Sequence, residues 1–196
     1  MSKILFFFII LLSFNIQGKE FNNFSVDGIN IKESLLNYTS RSNIKNEIAN
    51  NWDWYADVGI DNKFVEVFFW SKNSKFENVS FFIKPDDPNF IVYGISGTSD
   101  IEFDKCLSLQ NLTHEDFLTY SNIDFDYSIE DKHPSDPTGK SYYKSIYFDV
   151  SNNNYQIEIN CTDFDKSMQR DGNNQDYFGI YVISPEIIEW FVRKEE

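Results

Sequence analysis

Apolar and polar positions alternate most regularly between residues 141 and 162. The apolar residues of the second half of this stretch stand at every other position: Tyr155, Ile157, Ile159 and Cys161. This period of two is typical of an antiparallel strand that buries one face. Ile146, Phe148 and Val150 repeat the period in the first half. Asparagines at 152–154 tolerate the backbone geometry of tight turns, so the pattern predicts a β-hairpin.

Other segments carry weaker strand patterns. The predicted strands are residues 63–70, 78–84, 90–97 and 177–183. Two prolines and two aspartates in residues 85–89 favour a loop between the second and third of these. Residues 121–140 lack periodicity and are rich in Asp, Ser and Pro, which predicts a long loop.

Helical patterns precede and follow these strands. Predicted helices cover residues 33–38, 43–50, 101–120 and the segment that starts at Pro185. Ser184 before Pro185 and Glu186 after it are typical of a helix start. The elements together predict an α+β fold with one mostly antiparallel sheet of about five or six strands and helices packed on one face. We expect residues 19–196 to form a single domain.

The first 18 residues are typical of a signal peptide. Lys3 is followed by an apolar run over residues 4–14, which is too short to span a bilayer but normal for a signal sequence. We expect cleavage after Gly18, a periplasmic or secreted mature protein, and no stable membrane span. Ile16 is large for a cleavage site, so an uncleaved membrane tether is the alternative.

The charge balance argues against two classes of partner. The chain has 31 acidic and 17 basic residues, for a formal net charge of -14 at pH 7. Nucleic acids and anionic lipids repel a protein with such a field. We therefore expect no nucleic-acid partner.

The chain contains two cysteines, Cys106 and Cys161. In an exported protein such a pair favours one disulfide bond, which would join the predicted helix at 101–120 to the hairpin. Two buried free thiols are the alternative.

The chain offers few ligands for a transition metal. His114 and His133 are its only histidines, so we predict no zinc or iron site and no cofactor. Aspartates at i and i+2, such as Asp163 and Asp165, are also found in calcium-binding loops, but the glycine and terminal glutamate of an EF-hand are missing. Solvated acidic loops explain them equally well.

Two short motifs are incomplete. Residues 136–141 end like a phosphate-binding loop, but Pro134 stands where that motif needs its first glycine. Residues 94–98 approach a nucleophile elbow, but Thr98 replaces the last glycine. Neither motif predicts a catalytic residue.

The chain resembles small uncharacterised exported proteins of AT-rich marine bacteria. The similarity rests on the signal peptide and on several short motifs, namely Asp27-Gly28, Ser34-Leu35-Leu36, Ile95-Ser96-Gly97-Thr98, Cys106, Lys132-His133-Pro134, Thr138-Gly139-Lys140-Ser141, Ile146-Tyr147-Phe148 and Cys161. This resemblance implies a periplasmic location and supplies no activity and no functional residue.

The function that these observations favour is a non-catalytic binding module of the cell envelope, whose partner is a protein, an envelope component or a small ligand. The candidate ligand-binding residues are His133 and the aromatic cluster Trp52, Trp54 and Tyr55. Core packing is the alternative role for the aromatic cluster. A small extracytoplasmic hydrolase of glycan, peptidoglycan or ester bonds is the second hypothesis, and it requires a histidine or an acid pair in a pocket.

Overall fold

A computed structural model describes residues 25–26, 28–51, 62–69, 76–152, 154–169 and 175–192. The strands among them are β1 (Ser25–Val26), β2 (Ile29–Asn30), β3 (Val65–Phe68), β4 (Asn78–Ile83), β5 (Val92–Asp100), β6 (Ile123–Lys132), β7 (Tyr142–Val150), β8 (Tyr155–Asp163) and β9 (Tyr177–Ile183). The α-helices are α1 (Arg41–Asn51), α2 (Phe103–Phe117) and α3 (Pro185–Val192). The predicted signal peptide, residues 1–18, and the cluster Trp52, Trp54 and Tyr55 lie outside the described residues.

One seven-stranded sheet dominates the fold, with strand order β3-β4-β5-β9-β8-β7-β6. Every neighbouring pair is antiparallel. The α+β class is therefore confirmed, whereas the expected number of five or six strands is too low. The additional strand is β6, which falls within the loop predicted at 121–140. β6 is an edge strand with mostly exposed side chains. Its apolar residues do stand at every other position, at 123, 125, 127 and 129, which is a strand pattern. The loop prediction followed the Asp, Ser and Pro content of the whole stretch and is wrong for this part.

The predicted packing of all helices on one face is wrong. Helix α2 covers β8 and β9, and α1 lies beside β3, on the face that holds most of the apolar core. Helix α3 packs on the opposite face, where Ile187 and Trp190 contact Phe64 and Phe82. Because Phe81 and Phe82 are consecutive on β4, they face opposite sides. Both are buried, so this end of the sheet needs a cover on each face.

The predicted disulfide is confirmed. Cys106 on α2 bonds to Cys161 on β8, with their Cα atoms 5.8 Å apart. One turn further along α2, the buried Gln110 donates hydrogen bonds from Nε2 to the carbonyl oxygens of Lys144 (2.8 Å) and Ile159 (2.9 Å). A covalent bond and two hydrogen bonds therefore fix α2 to the central hairpin.

Among the described residues, no helix is both long enough and apolar enough to cross a membrane.

Candidate ligand-binding cavity

The sheet face opposite α1 and α2 bears a cavity of about 960 Å³ beside α3. Its volume lies at the upper end of the range of small-molecule pockets. Side chains from β3 to β9 and from α3 line it. Because α3 covers one end of this face only, the cavity lies between the exposed strands and the helix.

The floor of the cavity is one row of paired residues that crosses five strands. The row runs through Ser80, Ser96, Tyr181, Glu158 and Tyr147, on β4, β5, β9, β8 and β7 respectively. Directly paired residues project from the same face of a sheet, with neighbouring strands about 4.8 Å apart. Residues far apart in the sequence therefore form a continuous polar strip.

The carboxyl group of Glu158 is hydrogen-bonded by three neighbouring side chains of this face. Its Oε1 accepts hydrogen bonds from Ser145 Oγ (2.6 Å) and Asn160 Nδ2 (3.4 Å), and the Tyr147 side chain also hydrogen-bonds to it. Burial raises the pKa of the Glu158 carboxyl, while these hydrogen bonds act in the opposite direction. Within the described residues, no lysine or arginine forms an ion pair with Glu158.

Tyr181 and Tyr147 stand on either side of Glu158 in the row. Burial raises the pKa of both phenols, and the nearby charge of Glu158 adds to that effect, so both rings stay neutral at physiological pH. Tyr127 of β6 stacks on Tyr147, with ring centroids 4.5 Å apart. A Cβ atom on Gly179 would lie 2.8 Å from Cε2 of Tyr181, so the ring of Tyr181 lies across this glycine.

A second carboxyl group, that of Glu66 on β3, lies at the other end of the floor. The Ser80 hydroxyl hydrogen-bonds to Glu66 Oε1, and Ser80 Oγ and Ser96 Oγ lie 2.8 Å apart. The Glu66 charge also contributes to the raised pKa of Tyr181. The floor therefore runs from one carboxyl group to another through hydroxyl groups and the Tyr181 ring.

The wall of the cavity on the side of α3 is apolar. Its residues are Phe82, Ile183, Ile188, Phe191 and Val192. The rings of Phe82 and Phe191 meet edge to face, with centroids 6.1 Å apart. Val192 is 59% exposed. An amphipathic ligand would thus meet both apolar and polar surface here.

The candidate residue His133 lies outside the cavity lining. Its half-buried ring packs against Phe164, with centroids 4.6 Å apart, and its Nδ1 accepts a hydrogen bond from the Ser135 backbone N–H (3.3 Å). Burial lowers its pKa. The next residue, Pro134, does line the cavity. His114 packs against Phe148 on the core face, so neither histidine is part of the cavity lining.

The segment that resembles a phosphate-binding loop is a turn held by its own carboxylate. Asp136 accepts hydrogen bonds from the backbone N–H groups of Thr138, Lys140 and Ser141 and from the Thr138 and Ser141 hydroxyls. These bonds hold the pKa of Asp136 well below its usual range. The N–H groups that a phosphate would need here are already bonded to Asp136.

The acidic loops do not form a metal centre within the part of the chain that the structure describes. Asp165 accepts hydrogen bonds from the backbone N–H and the hydroxyl of Ser167. Asp176 accepts them from the Phe164 backbone N–H and from Gln169. Both carboxylates therefore stabilise local turns.

The sequence pattern missed the residues of the cavity floor. The alternation in the hairpin places Glu158 on the strand face opposite Ile157 and Ile159, but it does not show what that face contacts. The paired row depends on strand order, which a single sequence does not reveal. The one available signal was the apolar face of the last helix, since that helix needed a surface to cover.

No protein-family model, curated protein or solved structure matches this chain.

Proposed function

We propose that this protein is a non-catalytic binding module that holds a small ligand in the cavity between the sheet and α3. The observation that carries the proposal is the pairing of an apolar wall with a polar floor in one cavity of ligand size. Binding sites for small molecules combine apolar surface with a few placed polar groups in this way.

The hydrogen bonding of the polar groups in the cavity favours a binding role over hydrolysis. The Ser80 and Ser96 hydroxyls are bonded to each other, and Ser80 is also bonded to Glu66. A serine nucleophile needs an adjacent base. Ser80 has the Glu66 carboxylate beside it, but no histidine is among the described lining residues. The raised pKa of Glu158 would suit a general acid, and this feature also favours a hydrolase.

The carboxyl groups of Glu66 and Glu158 are better placed to bind two ends of a ligand than to cleave one bond. Four inter-strand steps separate β3, which carries Glu66, from β8, which carries Glu158, so their backbones lie about 19 Å apart along the sheet. The two carboxyl groups of a glycosidase lie about 5 to 9.5 Å apart.

The proposed place of action is outside the cytoplasm, with an envelope component as the source of the ligand. The disulfide between Cys106 and Cys161 supports an oxidising compartment. The strongly negative net charge supports a partner that is neither nucleic acid nor anionic lipid.

Filling the cavity tests this proposal. Thr98 lines the cavity, so the indole ring of Thr98→Trp would occupy ligand space. We expect the protein to bind Nile red, a neutral apolar dye, in a saturable manner, and Thr98→Trp to weaken that binding about tenfold or more. Fluorescence titration of the mature chain measures both affinities.

Thr113→Trp is the matched control, because Thr113 is also half-buried but lies on α2, on the other side of the sheet. It should bind the dye as the unmodified protein does. Equal dye affinity in Thr98→Trp and Thr113→Trp, with both variants folded by circular dichroism, would show that the cavity is not the binding site.

A further inference from the structure

We propose that the ligand of this cavity is an amphipathic organic cation, whose ammonium group lies against Glu158 between the rings of Tyr147 and Tyr181. This inference rests on the proposed function, since it names the chemical class of the ligand that the cavity binds.

The first argument is charge. The lining includes the carboxyl group of Glu158, and none of the described lining residues is lysine, arginine or histidine. The hydrogen bonds to Glu158 come from Ser145, Tyr147 and Asn160, all of them neutral groups. Burial disfavours the ionised form of Glu158, and a positive charge beside the group would stabilise that form. A cationic ligand supplies that charge, whereas an anionic ligand would be repelled.

The second argument is the position of the rings. Tyr147 and Tyr181 are the direct cross-strand partners of Glu158, one on each side. Aromatic faces attract ammonium groups through the ring quadrupole, and this attraction is greatest where water is excluded. The phenols remain neutral, so no phenolate competes with Glu158 for the cation. Stacking on Tyr127 fixes the plane of the Tyr147 ring.

The third argument is the apolar wall. Across the cavity from this polar strip, Ile188 and Phe191 of α3 and Phe82 of β4 present apolar surface. A small inorganic cation would leave this surface exposed to water. An alkyl chain or ring attached to the ammonium group would cover it, and burial of that apolar area would contribute to binding.

Competition between two probes of equal chain length tests the inference. Octyltrimethylammonium and octyl sulfate share the alkyl chain and differ in the sign of the head group. Each is titrated against Nile red bound to the mature protein, below the concentration at which the probe forms micelles. We expect octyltrimethylammonium to displace the dye at a concentration about tenfold lower, or more, than octyl sulfate.

The variant Glu158→Gln keeps the size of the side chain and removes its charge. It should reduce the preference for octyltrimethylammonium over octyl sulfate about tenfold. Glu115→Gln, an equal change of net charge at an exposed site on α2, should leave the preference unchanged.

Failure of this inference differs from failure of the proposed function. Equal competition by the two probes against the unmodified protein overturns the cation assignment, whether or not Glu158→Gln folds. An unchanged preference in a folded Glu158→Gln overturns it as well. Absence of saturable Nile red binding to the unmodified protein overturns the proposed function itself.

Discussion

Replacing both Cys106 and Cys161 by alanine is expected to lower the free energy of unfolding by about 4 kcal/mol relative to the disulfide-bonded protein. The disulfide closes a loop with a sequence separation of 55 residues, and a loop of this length strongly restricts the unfolded chain. Both cysteines are fully buried, so truncation to alanine also leaves space in the core. Equilibrium urea unfolding followed by circular dichroism measures the difference.

Chemical reduction gives an independent comparison. Reductant should lower the stability of the disulfide-bonded protein toward that of the double variant and should leave the variant itself unchanged. A double variant that stays within about 1 kcal/mol of the oxidised protein would mean that the two hydrogen bonds of Gln110 suffice to hold α2 on the sheet.

Trp190→Ala is expected to lower the free energy of unfolding by about 3 to 5 kcal/mol and to abolish most Nile red binding. Trp190 is 2% exposed and fixes α3 by packing against Phe64, with ring centroids 5.4 Å apart. Because α3 supplies the cavity wall, loosening the helix removes apolar surface from the site. Urea unfolding and dye titration of the same sample measure the two effects.

Phe148→Ala is the control for Trp190→Ala, because it should lower stability without changing the cavity. Phe148 is fully buried on the other face of the sheet, where it contacts Phe117 and His114. Its truncation should cost a similar amount of stability but leave dye binding intact wherever the protein is folded. Equal dye binding by Trp190→Ala and Phe148→Ala would show that dye binding does not depend on the wall formed by α3.

The fold could be predicted where the alternation of residues had a single interpretation. The central hairpin is clear because β7 and β8 each bury one apolar face. The cysteine pair follows from composition and compartment. The edge strand β6 was missed although residues 123–130 alternate between apolar and polar, because the Asp, Ser and Pro content of residues 121–140 favoured a loop. The position of α3 was missed because its apolar face does not indicate which face of the sheet it packs against.

The site could be predicted less well, for a physical reason. The sequence shows that Glu158 and Tyr181 stand on strands, yet their adjacency arises from the pairing of β8 with β9, which no local pattern encodes. Conversely, the incomplete phosphate motif was correctly rejected, since Asp136 takes up its backbone N–H groups. The proposed role of Trp52, Trp54 and Tyr55 remains a prediction.

The central claim is that the cavity beside α3, on the sheet face opposite α1 and α2, binds the ligand. An NMR titration of the protein with ¹³C-labelled tyrosine rings tests it most directly. The neutral probe is 1-octanol. We predict saturable shifts of the ring signals of Tyr147 and Tyr181, which line the cavity, and constant signals of Tyr38 and Tyr155, which are not part of its lining. Shifts confined to Tyr38 and Tyr155, with Tyr147 and Tyr181 unmoved, would contradict it.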